Sequence, residues 1–185
     1  MVESLLRAPS RAHMNIGEIY FWTATINNWQ RLLRSDSFKD LIVGTLDHLT
    51  RLNLIDVFGF VIMPNHMHLI WRILGLNGKE SPQGSLLKFT AHQFLKRIRN
   101  DPQKLALYEV DRLNKKHEFW QREPLAVHLY SKKVAFQKLD YVHVNPVSKH
   151  WSLAKKPADY KYSSAKFYES GVKDFDFLKD LRKEF

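Results

Sequence analysis

The chain has no cysteine among its 185 residues. Disulfide bonds and thiolate metal ligands are therefore excluded, and we expect a protein of the reducing cytoplasm. Long apolar runs are also missing, since none approaches the roughly 18 residues of a membrane span. The first residues lack the apolar segment of a signal peptide. We therefore expect a cytoplasmic protein that has no membrane as a partner.

Acidic residues are few relative to basic ones. The chain has 29 Lys and Arg against 19 Asp and Glu, a net charge of +10, and 13% of its residues are aromatic. Half of the excess positive charge lies between residues 88 and 122, a range that contains nine basic and four acidic residues. A surface that binds phosphates and stacks against bases is both basic and rich in aromatic side chains, so nucleic acid is the first partner to consider. A solvated charged face explains the same charge without any partner.

The length and the 44% hydrophobic content fit one globular domain. Residues 1–13 are expected to form an N-terminal arm, residues 14–146 the main domain, and residues 147–185 a basic tail packed on it. The apolar patterns predict these elements in order: a strand at 19–26, an amphipathic helix at 37–52, strands at 55–62 and 66–73, a helix at 85–99, a bent strand at 119–129 and a helix at 131–145. For the helix at 85–99, we expect Ser85 as the N-cap and Leu86, Phe89, Phe94 and Ile98 in the core.

Two histidines, His66 and His68, lie one residue apart inside an apolar run from residue 60 to 71. In a strand, residues i and i+2 share a face about 7 Å apart, so two imidazoles can reach one ion. The pair, with Ile70 and Arg72, should then face away from Met67, Leu69, Trp71 and Ile73, which we expect in the core. Two histidines that simply form hydrogen bonds would give the same pattern, and a metal site needs a third ligand from elsewhere.

The predicted helix at 131–145 places Tyr141 and Asn145 one turn apart on the same face. Tyr141 alone is compatible with a packed core tyrosine. Lys96, Arg97 and Arg99 end the preceding helix, where cations either complement the helix dipole or bind nucleic acid.

Four segments, taken in order, resemble the single-tyrosine HUH transposases, and within them the REP-associated tyrosine transposases. Met63-Pro-Asn-His-Met-His-Leu69 resembles the family's paired-histidine strand, and Tyr141-Val-His-Val-Asn-Pro-Val147 resembles its tyrosine helix. Phe119-Trp-Gln-Arg122 and Asp159-Tyr-Lys-Tyr-Ser-Ser-Ala165 resemble flanking segments of the same family. The sequence departs from the family at Ser148-Lys-His-Trp151, where a basic residue and a Gly-Leu step are usual.

The resemblance implies an α+β fold, a ferredoxin-like or RRM-like antiparallel sheet with helices packed on one face. It implies that Tyr141 is the nucleophile and that His66, His68 and Asn145 hold a divalent metal ion, Mg²⁺ or Mn²⁺. The implied reaction cleaves and rejoins single-stranded DNA that carries a hairpin, through a 5′-phosphotyrosine intermediate. The candidates for contacting its phosphates are Lys96, Arg97, Arg99 and Arg122.

Two other functions remain open for the same residues. One is a metal-dependent phosphodiesterase in which water replaces the tyrosine, and the other is an RRM-like binding protein without catalysis. The family contains both dimers and monomers. The longer tail of this chain favours a monomer in which Tyr141 serves its own histidines, with a homodimer as the alternative.

Overall fold

A computed structural model describes residues 13–113 and 115–185. The expected N-terminal arm, apart from its last residue, lies outside the described residues. One sheet contains β1 (Ile19–Thr25), β2 (Ile55–Ile62), β3 (His66–Ile73) and β4 (Leu125–His128). The helices of the described part are α1 (Asp36–Arg51), α2 (Pro82–Ile98), α3 (Pro102–Ala106), α4 (Lys132–Val144) and α5 (Ala165–Ser170). Short 3₁₀ turns occupy Asn27–Trp29, Leu32–Arg34, Asn145–Val147, Pro157–Asp159 and Leu181–Lys183.

The strands are all antiparallel and lie in the order β2-β3-β1-β4. This order, with α1 between β1 and β2 and α2 between β3 and β4, is that of a ferredoxin-like α+β sheet, so the expected fold class is confirmed. As expected, α1 and α2 pack together on one face. Helix α4 adds a layer on the opposite face, where its residues Ala135, Leu139 and Val142 are buried.

The predicted alternation along β3 is confirmed. Met67, Leu69 and Trp71 are buried in the core under α1 and α2. Ile70 belongs instead to the second core, which α4 covers. Both faces of β3 are thus buried. On the face that carries the histidines, Ile70 is packed in the second core, and His66 and His68 lie at the start of the strand.

A glycine in β2 allows α4 to lie close to the sheet. A Cβ atom added to Gly59 would lie 2.7 Å from Leu139 Cδ1. The pairing of β2 with β3 is irregular between Val57 and Gly59. Helix α4, and with it Tyr141, is therefore set on the sheet by a contact that a larger residue would disturb.

Two predictions about α2 were wrong. Its N-cap is Ser81, whose Oγ accepts a hydrogen bond from Gly84 N at 3.2 Å, so the helix starts one turn before Ser85. Pro82 occupies the first helical position, where its missing N–H costs nothing. Phe89 is 49% exposed, and Thr90 takes the core position instead. The Thr90 hydroxyl is satisfied there because it donates to Leu86 O and accepts from Trp120 Nε1.

The C-terminal residues contact the body of the protein at both sheet faces. The Tyr160 hydroxyl donates to Ile62 O at 2.8 Å, and the buried Tyr162 donates to Asp40 Oδ1 at 2.8 Å. Near the end of the chain, Glu184 accepts from Arg72 of β3 at 2.7 Å. None of the helices in the described part has the length and apolar character that crossing a membrane would require.

Candidate active site

The two histidines of β3 lie next to each other on the α4 side of the sheet. His66 is 8% exposed and His68 is 5% exposed, and their ring centroids are 4.7 Å apart. Antiparallel pairing with β1 places Thr25 opposite His66 and Thr23 opposite His68. The strand geometry inferred from the sequence therefore brings both imidazoles to one place.

Hydrogen bonds fix both rings so that the Nε2 atoms are left free. His66 Nδ1 is 2.6 Å from Asn65 Oδ1, and because an amide oxygen only accepts, the proton lies on Nδ1 and Nε2 has a lone pair. His68 Nδ1 is 2.8 Å from Thr23 Oγ1. His68 Nε2 is buried and has no hydrogen-bond partner among the described residues. A water molecule or an ion can satisfy a buried nitrogen of this kind.

Burial keeps both histidines neutral at ordinary pH. Desolvation lowers the pKa of His66 to about 4. It lowers the pKa of His68 to about 3, assisted at acid pH by the charge of protonated His66 and by the positive charge of Lys138. A neutral imidazole offers a lone pair to a metal ion, whereas a protonated one does not.

Tyr141 of α4 lies beside these histidines within the same chain. Its ring centroid is 5.3 Å from that of His68 and 5.9 Å from that of Phe21. The side chain is 50% exposed, so the phenol is accessible from solvent. Asn145 follows one turn later, at the end of the helix.

These four predicted residues line one cavity of about 200 Å³. Its lining residues are Thr23, Thr25, Trp29, His66, His68, Tyr141, Asn145 and Trp151. In the described ranges, no group of three His, Cys, Asp or Glu side chains could hold a metal ion. A third protein side chain that helps the two histidines to bind a metal would therefore be an amide or hydroxyl oxygen of this lining, and Asn145 is the candidate that the family resemblance implies.

Lys138, near the middle of α4, places a positive charge beside the Tyr141 ring. Its Nζ lies 4.8 Å from the centroid of the Phe21 ring and 5.7 Å from that of the Tyr141 ring. A cation held over these rings is favourable for the aromatic face. It also favours an anionic group, such as a phosphate, beside Tyr141.

The basic residues predicted for DNA binding lie away from this cavity. Lys96, Arg97 and Arg99 are exposed at the end of α2, which covers the opposite face of the sheet. Arg122 Nε lies 3.3 Å from Glu118 Oε1. Their role in DNA binding stays a prediction, and Arg97 lines a separate cleft.

Sequence reasoning missed five residues that surround the histidines: Thr23, Thr25, Trp29, Asn65 and Trp151. Thr23 and Thr25 have the same alternate spacing as the histidines, which was a usable signal. Their contact could not be located, because the register between β1 and β3 is not readable from either strand alone. Trp29 stands in a turn, and no periodic pattern singles it out.

Neither a protein-family model nor a curated protein matches the sequence. Among solved structures, the chain is similar to a REP-associated tyrosine transposase bound to a REP hairpin. The TM-score is 0.60, and the alignment covers 95% of this chain and 93% of that chain at 20% identity. The chain has the fold of a REP-associated tyrosine transposase. The resemblance seen in the sequence motifs is thus confirmed for the fold.

The similarity to the transposase extends over almost the whole chain, so the C-terminal residues belong to the shared architecture. An identity of 20% is too low to carry residue roles from one protein to the other. A role for Tyr141, His66, His68 or Asn145 must therefore be argued from the cavity that they line in this chain.

Proposed function

We propose that the protein cleaves and rejoins single-stranded DNA that carries a hairpin, with Tyr141 as the nucleophile. The observation that carries the proposal is the cavity itself, in which an exposed tyrosine lies beside two buried, neutral histidines. The transposase of similar fold is bound to a REP hairpin, which supports hairpin DNA as the substrate class. The net charge of +10 also favours a polyanionic substrate such as DNA.

The reaction exchanges one phosphodiester for another. The Tyr141 oxygen attacks phosphorus and forms an O–P bond, while the bond from phosphorus to the 3′ oxygen breaks. The phenolic proton passes from the exposed Tyr141 to solvent, and the departing 3′ oxygen takes up a proton from solvent, so that a 5′-phosphotyrosine and a free 3′-hydroxyl remain. Attack by a 3′-hydroxyl on the phosphotyrosine reverses these steps and rejoins a strand without an energy source.

The residues of the cavity fit a divalent metal ion. His66 Nε2, His68 Nε2 and the Asn145 amide oxygen would hold it, and His68 Nε2 is buried without a hydrogen-bond partner among the described residues. A bound Mg²⁺ or Mn²⁺ would draw charge from the scissile phosphate and so make phosphorus easier to attack. Asn65 and Thr23 hold the two rings in the orientation that keeps the Nε2 atoms available.

Tyr141 and Lys138 act from the same helix. Lys138 holds its ammonium group over the Tyr141 ring, where it favours the anionic phosphate at the point of attack. Because Asn145 lies one turn beyond Tyr141, a shift of α4 would move the nucleophile and the amide together. Attack geometry and metal binding are therefore coupled.

The test is the formation of a covalent adduct. Protein incubated with hairpin-bearing single-stranded DNA and Mn²⁺ should give a protein–DNA species that survives denaturation, and Tyr141→Phe should abolish it. Tyr130→Phe is the matched control, because Tyr130 is also exposed but does not line the cavity.

Each rival function gives a different result. Strand cleavage that persists in Tyr141→Phe would show that the protein is a phosphodiesterase that uses water, and not a transposase. If the unmodified protein binds the hairpin but does not cleave it, the protein binds DNA without catalysis.

A further inference from the structure

A second, larger cleft of about 780 Å³ lies outside the proposed active site and is strongly basic. Its charged lining residues are Arg31, Arg34, Arg97 and Lys104, and no Asp or Glu of the described residues lines it. Arg31, Arg34 and Arg97 are exposed and form no ion pair within the described part of the chain. Three unpaired guanidinium groups around one cleft suit a polyanion.

The acidic groups nearest in sequence to the cleft are already occupied. Asp101 lies 2.7 Å from Lys104 Nζ, and Asp36 lies 2.9 Å from Lys39 Nζ. Lys104 is thus partly neutralised, and the three arginines supply the free charge.

One short segment connects this cleft to the proposed active site. Residues 27–34, which include two 3₁₀ turns, contribute Trp29 to the small cavity and Gln30, Arg31 and Arg34 to the cleft. Arg31 also lies over the Trp151 ring, 5.7 Å from its centroid, and Trp151 lines the small cavity. The two spaces therefore share a border formed by Trp29, Trp151 and Arg31.

Trp29 at this border has two unusual features. Its side chain is 61% exposed, although a tryptophan gains much by burial. Its φ angle of 56° is in the left-handed region, which a bulky residue rarely adopts. The surroundings maintain this conformation, since Asn65 Nδ2 donates to Trp29 O and Trp29 N donates to Ile26 O. A strained backbone that exposes an aromatic ring is typical of a functional position.

We propose that this cleft binds a single-stranded DNA segment that flanks the hairpin and runs from the active site across Arg31. Bases stack on Trp29 and Trp151 at the border, and phosphates contact Arg31, Arg34 and Arg97 beyond it. The proposal rests on the function proposed above, because it assigns the path of the same substrate. It gives Arg97 a role and explains how basic residues remote from the histidines act on one DNA strand.

The test compares a hairpin without extensions to hairpins carrying six unpaired nucleotides on the 5′ or the 3′ side. Fluorescence anisotropy in a Tyr141→Phe background measures binding without cleavage. One of the two extensions should tighten binding about tenfold or more, as expected for a few stacked bases and phosphate contacts. Arg31→Gln/Arg34→Gln/Arg97→Gln should remove this gain and reduce the slope of log Kd against log salt by about 2.

A control variant loses the same charge elsewhere. Arg51→Gln/Lys79→Gln/Lys173→Gln alters exposed residues that line neither space, and it should keep the gain. Trp29→Ala should also reduce the gain, and Arg34→Gln/Arg97→Gln serves if the triple variant does not fold. An extension that adds no affinity, or a gain that the arginine variants keep, would overturn the inference. Adduct formation at Tyr141 is measured separately. A failure of the cleft proposal would therefore not contradict the proposed reaction.

Discussion

At the scale of single residues, the site depends on two imidazoles. Burial keeps both rings neutral, and hydrogen bonds at their Nδ1 atoms orient them so that both Nε2 atoms are available as ligands. The spacing of His66 and His68 and the helical spacing of Tyr141 and Asn145 were readable from the sequence, because each depends only on the period of one element. Thr23 and Lys138 were not predicted. Their contacts depend on the register of β1 with β3 and on how α4 lies over Phe21, and neither is encoded locally.

His66→Ala and His68→Ala should each abolish the covalent adduct while leaving hairpin affinity within about 1 kcal/mol, since phosphate contacts and stacking dominate affinity. His48→Ala, at an exposed position near the end of α1, is the control. Adduct yield and anisotropy on the same samples separate the two effects. A loss of affinity as large as the loss of cleavage would mean that the histidines bind DNA directly.

Thr23→Val should lower the rate of adduct formation by about 10- to 100-fold, the usual cost of removing a residue that orients a metal-binding histidine. The change keeps the shape of the side chain but removes the partner of His68 Nδ1. Thr25→Val is a matched control on the same strand, and it should have a smaller effect. Equal rates for the two variants would contradict the orienting role of Thr23.

At the scale of elements, the sequence predicted β2 and β3 with the bounds that the structure shows, because their apolar runs are long and Pro64 with Asn65 marks the turn. The start of α2 was misplaced because Ser81 and Ser85 are equally good capping residues in isolation. The core position of Thr90 escaped the apolar pattern, since its hydroxyl is satisfied only by tertiary contacts with Trp120.

The strand β2 also holds a buried carboxylate that attaches the C-terminal residues to the sheet. Asp56 accepts hydrogen bonds from Arg72 of β3 and also pairs with Lys179. Burial alone would raise the pKa of Asp56, but the hydrogen bonds from Lys179 and Arg72 outweigh it and hold the pKa below the ordinary value. The ion pairs therefore stabilise the fold above the ordinary carboxyl pKa, and this contribution is lost as the pH falls through the lowered pKa.

Asp56→Asn should reduce the free energy of unfolding at pH 7 by about 2–3 kcal/mol, less than for a fully buried pair because Lys179 and Arg72 reach solvent. The difference from the unmodified protein should shrink as the pH falls below about 4. Denaturant unfolding at pH 7 and pH 3 measures both values. Asp47→Asn removes a surface pair with Arg51 and should cost well under about 1 kcal/mol. A cost for Asp56→Asn that did not change with pH would contradict the assigned ionisation.

At the scale of the whole molecule, the fold was predictable because the motifs occur in the order that is characteristic of the family that the sequence resembles. The path of residues 147–185 was not predictable in detail, since it depends on single contacts such as that of Tyr160 with Ile62. Tyr141 lies beside His68 of the same chain. We therefore propose a monomer that acts in cis.

Mixing Tyr141→Phe protein with His66→Ala protein tests the cis arrangement. Each variant retains the half of the site that the other lacks, so a dimer that pairs Tyr141 with the partner's histidines would regain adduct formation. We expect no recovery at micromolar concentration. Recovery, or a dimer mass in solution by light scattering, would contradict the monomer and leave the chemistry intact.

The most direct test of the central claim is to locate the DNA on the protein after reaction. Hairpin DNA is labelled at either the 5′ or the 3′ end, and peptides of the denatured adduct are analysed by mass spectrometry. The proposed reaction predicts that the 3′ label stays with the protein, that the 5′ label leaves on a strand with a free 3′-hydroxyl, and that the modified peptide carries its nucleotide on Tyr141. A nucleotide on another residue, or cleaved DNA with both labels free of protein, would contradict the account.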